Sequence, residues 1–158
     1  MTIRRMCPGD IKAVAELERK CFDNPWSEQV IKDSFENERY IFVVADAAQG
    51  DGGGVPSCTP PPSPCAAYGG MYYVGSEGFI ANIAVTEQYR RRGIGRQIVE
   101  KLIEECRKLR LESLSLEVRV SNYDAIGLYT RLGFTDYGIR PHYYLDGEDA
   151  RIFLLEVK

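Results

Sequence analysis

The chain of 158 residues alternates between two hydrophobic periods. After a short first strand, "DIKAVAELERKCF" places Ile11, Val14, Leu17 and Cys21 three to four residues apart, which predicts a helix with Asp10 as its N-cap. In "NPWSEQVIKDSF", Pro25 interrupts that helix, Ser27 can cap a second one, and Glu28 suits its first turn. Trp26 lies at the elbow between them. "YIFVVADA" (40–47) and "AAYGGMYYV" (66–74) read as strands from their aromatic and β-branched content, and "GFIANIAV" (78–85) as an apolar strand suited to the middle of a sheet. Ile94, Ile98, Leu102 and Cys106 recur every four residues, with Leu109 three further on, so a helix over 94–109 has one apolar face. "SLSLEVRV" (113–120) alternates strictly, with Leu114, Leu116, Val118 and Val120 opposite Ser115, Glu117 and Arg119. It closes a strand–helix–strand unit, which predicts a parallel pairing with 78–85. Ala125, Leu128, Tyr129 and Leu132 then predict a short helix capped by Asp124 and ended by Gly133. Two last strands, about 134–144 and 150–157, meet around the turn signal "DGED".

The composition changes abruptly at 48–65, where four glycines and five prolines lack any apolar period. Such a segment buries too little to offset its ordering entropy, and it reads as a flexible insertion in a hairpin, with a proline-rich ligand for a partner domain as the alternative. Over the whole chain, 44% hydrophobic and 27% charged residues at this length fit one core, so a single domain over 1–158 is expected, and a monomer. Lys+Arg at 20 against Asp+Glu at 23 argues against direct nucleic-acid binding by general phosphate attraction. No run approaches the roughly 20 apolar residues of a membrane span, and "MTIRRMCPGD" lacks the apolar core of a signal peptide, so a cytoplasmic protein without a membrane partner is expected. Five cysteines at irregular spacing, with His142 as the single histidine, read as reduced structural thiols rather than a metal site.

"YRRRGIGRQI" (89–98) crowds four arginines around two glycines although the formal net charge is -3. A helix start offers unpaired backbone N–H groups and partial positive charge, and glycines let that backbone approach a compact anion such as a phosphate. The spacing is neither that of a nucleoside-triphosphate loop nor that of a dinucleotide fingerprint, and a basic helix start without a ligand remains open. Glu117 lies on the polar face of its strand, either as a carboxylate with raised pKa or as one satisfied by Arg119 or water. Tyr129 falls on the core stripe of its helix, where packing with one hydrogen bond is the ordinary role. His142 reads as a strand-end residue.

Taken together, Arg90-x-x-Gly93-x-Gly95 after "IAV", an amphipathic helix and then "LEVRVSN" resemble the GNAT acetyltransferase superfamily. "NPWS", "NIAV", "RRRGIGR", "LEVRVSN..AIGLYTRLGF" and "YYLDGEDA" are similar, in order and separation, to the RimI type of ribosomal-protein-alanine N-acetyltransferases and to N-alpha-acetyltransferase catalytic subunits. The resemblance implies an α/β (α+β) fold with a mixed, mostly antiparallel sheet of about seven strands, one parallel pair and about four flanking helices. It implies acetyl-CoA in the wedge between 78–85 and 113–120. Ile83, Ala84 and Val85 would pair with the pantetheine amides, with the Val85 amide as oxyanion donor. Arg90, Arg91, Arg92, Gly93, Ile94, Gly95 and Arg96 would surround the pyrophosphate, and Asn122 would bond the cofactor arm. Glu117 takes the position of the general base and Tyr129 that of the proton donor to the departing thiolate. Glu18, Tyr143 and Tyr144 align with substrate-side positions, and Trp26 either walls the peptide groove or plugs the elbow. The reaction implied is acetylation of a protein's N-terminal α-amine, that of an alanine-first ribosomal protein of the small subunit. A lysine or small-molecule acceptor, or a non-catalytic CoA-binding module, are the alternatives. An α-amine has a pKa of about 7.7–8.0 against about 10.4 for lysine, so a weak base suffices for the former.

Overall fold

Both periods fold as read. The computed structural model describes residues 1–47 and 65–157. In chain order the elements are β1 (Ile3–Arg5), α1 (Ile11–Cys21), α2 (Glu28–Glu36), β2 (Tyr40–Asp46), β3 (Cys65–Val74), β4 (Glu77–Val85), α3 (Ile94–Lys108), β5 (Ser113–Arg119), α4 (Tyr123–Arg131), β6 (Thr135–Arg140) and β7 (Ala150–Glu156), with 3₁₀ turns at Pro8–Asp10 and Glu87–Tyr89. The strands hydrogen-bond in the order β1-β2-β3-β4-β5-β7-β6. β4 and β5 are parallel through Glu77↔Ser113, Gly78↔Leu114 and Phe79↔Ser115. β1 with β2, β5 with β7 and β6 with β7 are antiparallel. This is the mixed, mostly antiparallel seven-stranded sheet expected from the resemblance. The expected insertion at 48–65 lies outside the described residues except for Cys65, which opens β3.

The chain divides into two compact units, Met1–Met71 with Asn82–Leu102 and Tyr72–Ala81 with Ile103–Lys158. In the first, Val14, Leu17, Ile31, Phe42, Val44, Tyr68 and Ala84 form a buried cluster. Ser27 caps α2 as expected, its hydroxyl accepting from the Val30 N–H at 3.1 Å. Asp10 does not cap α1 with its side chain. Its carboxylate instead accepts from the Cys7 N–H at 2.8 Å and pairs with Arg4, also at 2.8 Å. A Cβ at Gly69 would fall 2.5 Å from the Ile98 Cγ2, so the first half of α3 lies directly on the β3 backbone.

In the second unit the strict alternation of β5 holds, with Leu114, Leu116 and Val118 buried. Tyr129 packs on Phe134 and Phe153. The cap of α4 is Asn122 rather than Asp124. Its Oδ1 accepts from the Ala125 N–H at 3.2 Å, so the helix begins at Tyr123 and Asp124 already lies within its first turn. Gly133 follows the helix at a φ of 95°. Leu109 departs from the apolar face and is exposed, because α3 ends at Lys108 and Arg110 turns the chain with a φ of 58°. β6 stops at Arg140 rather than near 144, since Pro141 offers no ladder N–H and His142 takes a φ of 52°. Cys7, Cys21, Cys65 and Cys106 are in the thiol form, and burial pushes Cys65 up to about 12 and Cys106 up to about 11.

Candidate active site

Ahead of α3, Arg91 and Gly93 both take positive φ, 62° and 78°, which bends the chain sharply into the helix. The Gln97 N–H closes on the Gly93 carbonyl at 3.2 Å, so the N–H groups of Ile94, Gly95 and Arg96 precede the first full helical bond. A Cβ at Gly93 would meet nothing within 4 Å, and this glycine is required by conformation while the space beside it is open. The turn therefore fits a phosphate group held by backbone N–H donors. Its arginines have partners within the chain. Arg90 turns inward, its Nε donating to the Val85 carbonyl at 3.0 Å. Arg92 lies over the Tyr89 ring, and Arg96 pairs with Glu100 at 2.9 Å.

The residues Ile83, Ala84 and Val85 end β4. The Thr86 N–H bonds the Ala66 carbonyl on β3, so by strand alternation Val85 directs its own N–H and C=O to the opposite edge. Registered pairing of β4 with β5 covers Glu77 to Phe79. Val85 thus has its carbonyl engaged by Arg90 and by the Cys21 thiol at 3.7 Å, and its N–H points away from β3.

Glu18 is not a freely presented carboxylate. It is 1% exposed and bonded on both oxygens. The Tyr68 hydroxyl and the Asn82 amide, at 2.9 Å, donate to Oε1, and the Trp26 backbone N–H donates to Oε2 at 3.1 Å. Burial beside Glu18 holds the Tyr68 hydroxyl well above the usual phenol range, which keeps it a donor. Glu18 therefore ties the α1–α2 elbow to β3 and β4. Trp26 is half-buried and packs against the core of its unit, which favours the elbow plug.

The second unit gathers Glu117, Tyr129, Tyr143 and Tyr144. Glu117 is partly exposed and pairs with Arg140 on β6 at 3.2 Å, so its partner is neither Arg119 nor water alone. Arg119, two residues along the same face of β5, serves the β6–β7 loop, pairing with Asp146 at 2.8 Å and Glu148 at 3.0 Å. Tyr129 is 7% exposed, and burial, with the nearby Tyr144, raises its pKa above the ordinary phenol value, so it holds its proton at neutral pH. Burial pushes Tyr144 up to about 12, with Tyr143, Glu117 and Glu148 adding to the shift and Arg119 opposing it. Burial and then Glu117 also raise Tyr143. The Tyr143 and Tyr144 rings meet edge-on, with centroids 5.1 Å apart. Glu117, Tyr129, Tyr143 and Tyr144 thus share one electrostatic neighbourhood. His142 belongs to the turn, with its N–H on Asp149 at 2.9 Å and its Nδ1 3.1 Å from the Gly147 carbonyl.

The residues that sequence reading missed are partners at long separation. Tyr68 and Asn82 stand 50 and 64 positions from Glu18, and Arg140 stands 23 from Glu117. No local pattern marks them. A cleft of about 490 Å³ between α4, β6 and β7, lined by Tyr123, Ile126, Asp136 and Phe153 among others, contains none of the expected site residues. Among the described residues no cluster of His, Cys, Asp and Glu could hold a metal, and no helix is long and apolar enough to cross a membrane.

The acetyltransferase (GNAT) family model matches residues 11–134. The ribosomal protein bS18-alanine N-acetyltransferase of Escherichia coli K12 is 36% identical over 160 residues, covering 99% of this chain and 97% of that protein. The N-alpha-acetyltransferase of Sulfurisphaera tokodaii is 47% identical over 75 residues, 47% of this chain and 45% of that protein. The crystal structure of the ribosomal-protein-S18-alanine N-acetyltransferase from Escherichia coli matches with a TM-score of 0.81 at 34% identity, covering 99% of this chain and 94% of that one. On these likenesses the chain belongs to the GNAT acetyltransferase family, in its ribosomal-protein-alanine N-acetyltransferase branch.

Proposed function

We propose that the chain, acting as one monomeric domain in the cytoplasm, acetylates the N-terminal α-amine of an alanine-first ribosomal protein of the small subunit. It is an acetyl-CoA-dependent N-alpha-acetyltransferase, and acetyl-CoA supplies an activated thioester. The N–H groups of Ile94, Gly95 and Arg96 receive the pyrophosphate, with Arg91 and Arg92 at the rim. Arg90 holds the Val85 carbonyl, and the Val85 N–H bonds the acetyl oxygen as negative charge develops on it. Asn122, at the start of α4, bonds the pantetheine arm.

On the acceptor side, Glu117 takes the proton of an α-ammonium whose pKa of about 7.7–8.0 lies within reach of a carboxylate working through water. The guanidinium of Arg140 occupies this carboxylate until the substrate cation replaces it. Tyr129, kept protonated by burial, gives its proton to the departing thiolate. Tyr143 and Tyr144 flank the first peptide residues. The observation that carries the proposal is the gathering of Glu117, Tyr129, Tyr143 and Tyr144 within one unit.

The test is incubation of the protein with acetyl-CoA and an alanine-first peptide, read by mass spectrometry. One added acetyl group on the α-amine, absent when the peptide's N-terminus is blocked, is the expected result. Acetylation of free small amines or lysine side chains in preference to the peptide would overturn it.

A further inference from the structure

β5 presents two charged side chains on its polar face, Glu117 and Arg119, and the family reading of the site uses only the first. The guanidinium of Arg119 is engaged on three sides. One nitrogen donates to Asp146 at 2.8 Å and to Glu148 at 3.0 Å, and the planar group lies 4.1 Å from the centroid of the Tyr144 ring. Glu148 is held a second time, its other oxygen accepting from both the N–H and the hydroxyl of Ser121. The loop is folded on itself as well, with the Gly147 N–H on the Tyr144 carbonyl at 2.9 Å and the Tyr144 N–H on the Glu148 carbonyl at 3.1 Å. Its apolar tip has no comparable packing, since Leu145 is 90% exposed. The turn is closed locally, and its base is joined to the end of β5 by the Val120 N–H on the Asp149 carbonyl at 3.2 Å, while Arg119 and Ser121 hold its tip through Asp146, Glu148 and the Tyr144 ring.

We infer that Arg119 is the positioning residue of the acceptor side, holding the loop 141–149 so that Tyr143 and Tyr144 stand beside Glu117. A flat guanidinium suits the task because it can bond two carboxylates at its edge and stack its face on a ring at once. A lysine ammonium carries the charge without the plane. The pairs are partly exposed, so the hold is sensitive to ionic strength. The inference rests on the reading of Tyr143 and Tyr144 as acceptor-side residues.

The test uses the full-length enzyme carrying Arg119→Met or Arg119→Lys, with steady-state kinetics on whichever amine the enzyme accepts and amide hydrogen exchange over the loop. Arg119→Met should raise the acceptor KM about tenfold, leave kcat and the acetyl-CoA KM within about twofold, and speed exchange at the Tyr144 and Gly147 amides. Arg119→Lys should recover only part of the acceptor KM. Glu148→Gln, a milder change at the same contact, should move both readouts in the same direction and keeps the test decisive if Arg119→Met folds poorly. Unchanged loop exchange would overturn the hold itself. Faster exchange with an unchanged acceptor KM would overturn the acceptor role of the loop, and full recovery by lysine would overturn the need for the planar group.

Discussion

The glycine turn ahead of α3 and the loop between β6 and β7 both depend on arginine, and they use it in opposite ways. At the turn the groups aimed outward are backbone N–H donors, and the guanidinium of Arg90 is spent on the chain's own Val85 carbonyl. At the loop the backbone closes locally, and Arg119 reaches across to fix the tyrosines. A site for a phosphate can be built from chain conformation alone, because the ligand's charge and shape are constant. The site proposed for a peptide terminus draws on side chains from separate elements, each leaning on the next. The difference predicts that lesions on the donor side act through φ, and lesions on the acceptor side through lost partners.

The largest expected effect is on the acceptor side. Glu117→Gln should lower kcat on an alanine-first peptide by about 10²- to 10⁴-fold while calorimetric CoA affinity stays unchanged. A matching loss of CoA affinity would erase the separation between the two regions. Next comes Tyr68→Phe, which removes one donor from the buried Glu18. It should cost about 1–3 kcal/mol of stability, read from the urea midpoint, since the carboxylate keeps its burial and loses a bond. An unchanged midpoint would show that the Glu18 network is not a fastening of the elbow. Gly93→Ala places a side chain at a φ of 78°, at a cost of about 1–2 kcal/mol or about tenfold in CoA affinity, with the acceptor KM unmoved. A rise in the acceptor KM instead would break the comparison from the donor end. Ser27→Ala removes the α2 cap and should cost about 1 kcal/mol in thermal or urea unfolding. The smallest effect concerns pH. Tyr144 is raised from about 10 to about 12 in the folded state, so its contribution is complete below pH 10 and is lost as pH rises through 12. The urea midpoint should therefore fall on the alkaline side of pH 10, and Tyr144→Phe should lessen that fall.

Where a periodic stripe faces one neighbour, the sequence was enough. The α3 stripe ends buried at Ile94, Ile98, Leu102 and Cys106, and β5 alternates as written. Ser27 was legible as a cap because the proline two residues before it had already ended α1. Asn122 and Asp124 were not distinguishable by composition, since either can cap and only the backbone conformation at the helix entrance decides. The glycine turn was visible from spacing. The partner of Glu117 was not, because Arg119 is its neighbour along the strand while Arg140 is its neighbour across the sheet. Glu18 carried the right residue type at an aligned position. Its burial, set by Tyr68 and Asn82 arriving from other strands, was not legible.

Gly69 gives the donor region a hidden lever. An engineer wishing to reshape the phosphate turn would look first at its arginines, yet these mostly answer to their own chain. A methyl group on β3 at position 69 would press on Ile98 at 2.5 Å and on Leu102 at 3.2 Å. The helix would have to lift or tilt, and the row of N–H donors at its head would move with it. The shape of the turn is thus written partly in a missing side chain two dozen residues upstream, where a tight seat beneath α3 and a well-aimed turn are the same constraint.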